Sequence, residues 1–596
     1  MGEPSGVAGR TRRMLLPALL MAGLLLSLPL IQPRHTLPLT AFYSEWTAWV
    51  LGAMVLYPLL ITRVSRTLDV PSIVFLPAAL AGLIVVQAFF IVPSYPQLPL
   101  LAAAYLAWCA VLMLAARLLA RELGTSFVVS VLAGFMLTGG VLNAVAAILQ
   151  QYEWRGVLEP VIATQLGAQV YGNLGQSNHF ATHMALTLGA LGYLHARGKL
   201  GWTAVAPLLV LLLFVLTLSG TRASWLHLAA LTVFGVVAFR LRRAADTRRL
   251  MIYSMALLPG FALAHGLVEL PWLAPTTAHT TVLDRFVELA GAPGDRLALT
   301  QRAWSLFLAH PFTGVGWGQF AWHNFELAGE PGVPVLPGLY HHAHNLVLQL
   351  LVETGVVGGL LVVASMVHWA WHARRSLASS TGYWTWVCVA VLGLHSMTEY
   401  PLWNAHFLGI AAVALALGDS HSRTAVHTSG VRLAVATVTV LTLAIAPPLL
   451  THYRMLETVL HTRTPDDSRR ALAGAHAAMM RVRSSFFLAP YVDLAYARAT
   501  EFDRFFRDTR LEFQERVLRF SPTGLVAWRY AAMLALAGRW PEAERHAQRA
   551  ALTYPGLLEP FLAEFAGART DDPATQQRFV ALLRGLSPRG SAEDGG

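Results

Sequence analysis

The chain has 596 residues, of which 55% are hydrophobic and only 13% carry charge, too little charge to wet the surface of a soluble protein of this length. Its net charge of +11 falls in short clusters between apolar runs, with no continuous basic face carrying stacking aromatics, which excludes a nucleic-acid binder. The two cysteines, Cys109 and Cys388, lie inside apolar stretches and build no disulfide framework.

A membrane-spanning helix needs roughly 20 apolar residues to cross about 30 Å of hydrocarbon. Thirteen runs approach that length: residues 14–31, 45–62, 71–92, 98–116, 126–149, 179–195, 202–219, 223–239, 250–268, 345–371, 382–398, 402–418 and 431–450. The first follows Arg10, Arg12 and Arg13, and no small-residue cleavage site comes after it, so it reads as an uncleaved span. Those arginines hold the N-terminus inside. Alternate loops from there carry Arg63 and Arg66, Arg117 and Arg121, Arg197 and Lys199, the cluster from Arg240 to Arg249, and Arg374 with Arg375. The opposite side carries Arg34, Arg155, Arg222, Arg285, Arg296 and Arg302, which topology does not explain.

The pattern predicts an all-α polytopic membrane helix bundle of about thirteen transmembrane helices, N-terminus in and C-terminus out. Five segments follow: N-terminal spans over 1–165, spans with polar outer motifs over 166–268, a large loop over 269–343, C-terminal spans over 344–450 and a charged, alanine-rich helical tail over 451–596. In the tail, Trp528, Ala531, Leu534, Gly538, Trp540, Ala543, Ala547 and Pro555 have spacings that resemble a tetratricopeptide repeat. A peptide-binding repeat and a plain helical cap on the membrane domain both fit this pattern.

Four polar clusters fall on the outer side. "YGNLGQSNHFATH" places Asn173, Gln176, Asn178 and His179 before the sixth run, and "LSGTRASWL" places Arg222 in a tight turn. "EYPLW" places Glu399 and Tyr400 one helical turn after His395. In "HHAHNLVLQLLVETG", Asn345, Gln349 and Glu353 recur every four residues along one helix face. Polar groups at that depth are expensive unless they face a bundle interior, so the stripe points inward, with His344 above it as a group able to accept a proton near neutrality. A hydrated interfacial histidine and a metal site from His341, His342 and His344 are the competing readings. Arg296 and Arg302 offer forked donors to an anion such as a lipid diphosphate. The glycines Gly314, Gly316 and Gly318 fit either a ligand cradle or a re-entrant turn.

Together "LSGTRASWL", "DRLALTQRAWSLFLAHPFTGVGWGQF" and "HAHNLVLQLLVETG" resemble the superfamily of O-antigen ligases and polymerases (WaaL and Wzy). With "GNLGQSNHFATH" and "HSMTEYPLW", the chain is similar in particular to the bacterial protein O-oligosaccharyltransferases of the PglL type, over about residues 165–410. The resemblance implies His344 as the essential catalytic residue with Asn345 beside it, and a catalytic part for Gln176 and Tyr400. It implies Arg222, Arg296 and, as a further candidate, Arg302 as the groups on the donor's diphosphate. Asn178 and Glu399 join the substrate-binding set. Thr221 precedes Arg222, and Thr300 stands where the family has an aromatic residue, two local departures from its pattern.

The implied activity moves a glycan from an undecaprenyl-diphosphate-linked oligosaccharide to Ser or Thr hydroxyls of a periplasmic acceptor protein, pilin-type or other. It inverts configuration and needs no metal and no cofactor. The implied place is the bacterial cytoplasmic (inner) membrane, with the active site facing the periplasm. An O-antigen ligase with a lipid A core acceptor or an O-antigen polymerase is the alternative within the same fold. A secondary transporter fits less well, because no matched halves are visible.

Overall fold

The computed structural model describes residues 5–61, 67–165, 169–268, 270, 294–461, 469–502 and 507–586; Arg63, Arg66 and Arg285 lie outside them. All thirteen apolar runs fall on helices, as they must where no water is at hand to bond a free backbone. Among the described residues, eight helices are long and apolar enough to cross a membrane. The remaining runs are shorter, less apolar or broken; residues 45–62, for example, divide between Phe42–Val55 and Tyr57–Ile61. Strand structure among the described residues amounts to one antiparallel ribbon, Thr67–Pro71 paired with Ser422–His427. Beside it the buried Asp419 carboxylate accepts the backbone N–H groups of Ile73 at 3.0 Å and His421 at 2.8 Å.

The chain divides into two compact units, one of Met1–Ala81, Ala104–Gly291 and Leu361–Pro448, the other of Gly82–Ala103, Ala292–Leu360 and Leu449–Gly596. At the centre of the first unit is the helix Ser177–Ala196, buried along nearly its whole length. It packs on Thr125–Gln151, Trp202–Leu218, Ala223–Leu241, Ala245–Met255 and Ser380–Ser396. Small residues make this crowding possible. A Cβ on Gly192 would come within 2.6 Å of the Tyr253 ring, and one on Gly140 within 2.0 Å of the Thr187 hydroxyl. The helix is too polar to qualify as a span on hydropathy, because Thr182, His183, Thr187 and His195 all face protein.

The second unit joins the described part of the long loop to the tail. Its helices Ala489–Arg498, Arg507–Phe520, Gly524–Leu536, Trp540–Thr553, Leu558–Gly567 and Pro573–Gly585 enclose Trp528, Phe561, Phe565 and Phe579. Gly524–Leu536 and Trp540–Thr553 form a hairpin turned at Gly538, whose φ is +78°. Ala531, Ala543 and Ala547 are fully buried along that pair and let the helices approach closely. Residues of the 294–360 segment dock on the same core: Trp322 and Phe325 are buried in it, and the Gly338 N–H donates to the Thr553 carbonyl at 2.7 Å. Asp493 is held from two sides, by the Tyr95 hydroxyl at 2.9 Å and Arg483 Nε at 2.6 Å.

Candidate active site

In the first unit the polar residues gather at one end of the helices. The turn before Ser177–Ala196 is shaped by amides. Asn173 Oδ1 accepts the Ala163 N–H at 2.9 Å, its Nδ2 donates to the Val161 carbonyl at 2.8 Å, and its own N–H donates to Asn143 Oδ1 at 2.7 Å. Gln150 bridges the same turn through the Ala163 carbonyl at 2.7 Å and the Gly172 N–H at 3.0 Å. Gln176 is thereby set as the first residue outside the helix, with extended backbone, and its Oε1 is buried with no hydrogen-bond partner among the described residues.

Two residues later Asn178 Nδ2 donates to Glu399 Oε1 at 3.1 Å, so the motifs around 176 and 399 form one surface. Below this contact the Thr182 hydroxyl is 2.7 Å from His395 Nδ1, and the His179 ring lies 5.5 Å from that of His395. The ring of His227, in the helix that Arg222 begins, is 6.4 Å from that of His395. That contact places Arg222 at the same end of the unit as Gln176, Glu399 and Tyr400. Gly220, with φ +62°, and the Thr221 and Ser224 hydroxyls, 2.8 Å apart, set the tight turn in which Arg222 sits half-buried. Burial, with the Glu399 carboxylate as a smaller cause, raises the pKa of the Tyr400 phenol.

The second unit holds its polar residues by a different device. The helix Leu346–Ala373 is interrupted at Gly355, whose φ of +69° and ψ of −171° are not helical. The freed backbone pairs with the glycine-rich loop: the Val315 N–H donates to the Val352 carbonyl at 2.8 Å, Gly316 to Glu353 at 3.1 Å, and Val356 to Pro311 at 2.8 Å. A Cβ on Gly314 would stand 2.4 Å from the Glu353 carbonyl, so the glycines serve a backbone crossing, the turn reading of the sequence pattern. Gln87 locks it, donating to the Thr313 and Glu353 carbonyls at 2.6 Å each and accepting the Trp317 N–H at 3.2 Å.

Above the crossing, Gln349 and Glu353 are each 2% exposed and face protein. Gln349 Oε1 accepts the Ala343 N–H at 2.6 Å, while Asn345 Oδ1 accepts the Leu348 N–H at 3.0 Å and caps the helix. Between these two clamps His344 is held at φ +51°, a left-handed conformation that a histidine adopts only when its surroundings dictate it. The side chain is half-buried, 6.2 Å from the Tyr340 ring. Burial raises the pKa of Tyr340, and the neighbouring Asp295 carboxylate raises it further. Asp295 opens the helix that also carries Arg296, so that arginine sits close to the His344 turn. Burial lowers the pKa of His342 to about 3, with the His341 and His344 rings adding to the effect. No group of three His, Cys, Asp or Glu side chains among the described residues is arranged to hold a metal ion.

Arg296 and Arg302 share the helix Gly294–Ala309 and differ sharply. Arg296 is exposed in the first turn. Arg302 is 2% exposed, and its guanidinium donates to the Pro334 carbonyl at 2.7 and 2.9 Å and to the Asn324 carbonyl at 3.0 Å.

Residues 207–363 match a family model described as O-antigen ligase, 383–561 one described as virulence factor membrane-bound polymerase, C-terminal, and 170–195 one described as protein glycosylation ligase. Among curated relatives, a general O-oligosaccharyltransferase of Acinetobacter baylyi (strain ATCC 33305 / BD413 / ADP1) is 26% identical over 400 residues, 65% of this chain and 67% of that protein. A ComP-specific O-oligosaccharyltransferase of the same organism is 22% identical over 236 residues, 40% of this chain and 41% of that protein. The chain is similar to the O-antigen ligase and polymerase superfamily, and in particular to its protein O-oligosaccharyltransferases.

This oligosaccharyltransferase is a multi-pass membrane glycosyltransferase. Its protein glycosylation ligase match contains Gln176 and Asn178, the O-antigen ligase match contains Arg222, Arg296, Arg302, His344 and Asn345, and the polymerase match contains Glu399 and Tyr400. Sequence reasoning passed over Gln87, Asn143 and Gln150, which hold the turns on which those residues sit. Gln87 and Asn143 are lone amides inside apolar runs, and Gln150 stands with Gln151 just past the end of one.

Proposed function

We propose that the enzyme transfers an oligosaccharide from a lipid diphosphate, undecaprenyl diphosphate in bacteria, to Ser or Thr hydroxyls of periplasmic proteins, pilin-type proteins among them. The observation that carries this reading is the His344 turn, a left-handed backbone flanked by the Ala343–Gln349 and Leu348–Asn345 hydrogen bonds and carrying a half-buried imidazole. In this reading His344 takes the proton of the acceptor hydroxyl as its oxygen attacks the anomeric carbon. The bond from that carbon to the diphosphate oxygen breaks, and the diphosphate leaves. Arg222 and Arg296 serve the departing oxygens with fixed positive charge, so neither a general acid nor a metal is needed. A single displacement inverts the anomeric configuration. Arg302, with its donors committed to backbone carbonyls, holds the loop instead. Gln176, whose Oε1 awaits a donor, and Tyr400 face the sugar or the acceptor, and Asn178 with Glu399 shapes that surface.

The same reading takes the thirteen runs as spans, N-terminus inside, in the cytoplasmic membrane, with the charged tail periplasmic and its helix hairpins, repeat-like in pattern, offered to the acceptor chain. The positive-inside distribution of arginine supports it. The match of residues 207–363 to the O-antigen ligase model favours a second reading, in which the acceptor is the lipid A core. Mass spectrometry of periplasmic pilins and lipoproteins, with and without the enzyme, separates the two. Loss of glycan from serine or threonine is expected here; loss from lipopolysaccharide alone would establish the ligase.

A further inference from the structure

The opposite end of the first unit's helices holds a concave site. A cavity of about 530 Å³ opens between Arg197, Arg242 and Arg249. It lies at the far ends of the active-site helices: Arg197 follows the helix that Gln176 precedes, and Arg242 follows the one that Arg222 begins. All three arginines are exposed, and among the described residues none of them is in an ion pair. The one acid in the lining, Asp246, accepts a hydrogen bond from the Ser380 hydroxyl at 3.2 Å and leaves a net positive lining.

Three helices begin at this cavity, Thr125–Gln151 through Ser126, Ala245–Met255 through Asp246 and Ser380–Ser396 through Ser380. Their N-terminal dipoles add to the field of the arginines. Arginine clusters at span ends ordinarily act as topology determinants, and Arg240, Arg243 and Arg248 on the same segments fit that role because they do not line the cavity. Forked donors, helix starts and hydroxyls around an open hollow are a phosphate-binding arrangement. The cavity sits where the membrane-length apolar helices Thr125–Gln151, Ala223–Leu241 and Ala245–Val268 begin or end, the level at which a bilayer around them would carry its headgroups.

We propose that this cavity binds a phosphate-bearing anion, the headgroup of an anionic phospholipid, remote from the glycosyl-transfer site. The full-length enzyme in nanodiscs is probed with phosphatidylglycerol or cardiolipin against phosphatidylcholine, reading lipid retention by native mass spectrometry and melting temperature. Anionic lipid is expected to be retained and to raise the melting temperature of the wild type. The triple variant Arg197→Gln, Arg242→Gln, Arg249→Gln loses affinity by on the order of a hundredfold. The charge-matched variant Arg240→Gln, Arg243→Gln, Arg248→Gln keeps it. Equal loss in both variants would reduce the effect to surface charge and overturn the site, as would equal retention of phosphatidylcholine by the wild type. Should the triple variant not fold, headgroup discrimination by the wild type still decides. Inorganic phosphate that stabilises the wild type as strongly as anionic lipid, and displaces it, would assign the cavity to a soluble phosphate and overturn the headgroup.

Discussion

The first unit ties its functional motifs together side chain to side chain, Asn178 to Glu399 and Thr182 to His395 across neighbouring helices. The second ties them through the backbone, breaking a helix at Gly355 so that residues 352–356 pair with the loop at 311–316. Side-chain ties can be cut one at a time at modest cost, whereas a backbone crossing built on left-handed glycines stands or falls as a whole. The contrast also separates residues that hold the fold from residues proposed to act on the substrate. Arg302 and Gln87 spend their donors on carbonyls, while Arg296 and His344 sit on scaffolds so built and keep side-chain surface open.

The severest way to break the comparison is Gly355→Ala. An alanine held at φ +69° and ψ −171°, a region essentially reserved for glycine, costs on the order of 1–3 kcal/mol by itself, and its Cβ would meet the Phe312 carbonyl oxygen at 2.2 Å. Loss of monodisperse protein is expected, read by size-exclusion chromatography. A normal yield would mean that the crossing is not required.

Next comes the arginine pair. Arg302→Ala strands the buried Asn324 carbonyl and the part-buried Pro334 carbonyl and is expected to destabilise the protein by about 3 kcal/mol, visible as a lower melting temperature. Arg296→Ala leaves melting unchanged and weakens use of the donor by roughly tenfold or more, visible in KM for the lipid-linked substrate. Reversed phenotypes would exchange the two roles.

Acid sharpens the contrast further. Burial lowers His342 to about 3 and, chiefly through burial, His546 to about 4. In the unfolded chain both titrate near about 6.5. Below that pH the unfolded chain therefore binds protons that the folded one does not, and stability falls as the pH drops. Melting curves between about pH 7 and pH 5 should slope this way, and His342→Asn with His546→Asn should flatten the slope. A slope unchanged by both substitutions would contradict the assignment.

The smallest effect lies in the first unit. A double-mutant cycle on Asn178→Ala and Glu399→Ala is expected to give a coupling of about 1 kcal/mol in stability. Additive losses would deny the contact.

Much of this was legible in the sequence. Apolar runs give helices because length and hydropathy are local properties, and Asn178, Arg222, Glu399 and His344 stand out as polar groups at the ends of those runs. Illegible were the Thr67–Pro71 ribbon and the break at Gly355, since each depends on a backbone partner far along the chain. The difference between Arg296 and Arg302 was half visible. At about 100° per residue, Arg302 falls on the face of Leu299, Ala303 and Leu306, all buried, yet its carbonyl partners near 324 and 334 follow from no spacing rule.

The most direct measurement is glycan transfer by purified His344→Ala enzyme, with lipid-linked donor and acceptor protein, alongside its melting temperature. Unchanged melting and transfer reduced by about 10²- to 10⁴-fold are expected. Transfer within about threefold of wild type, on an intact fold, would contradict His344 as the base.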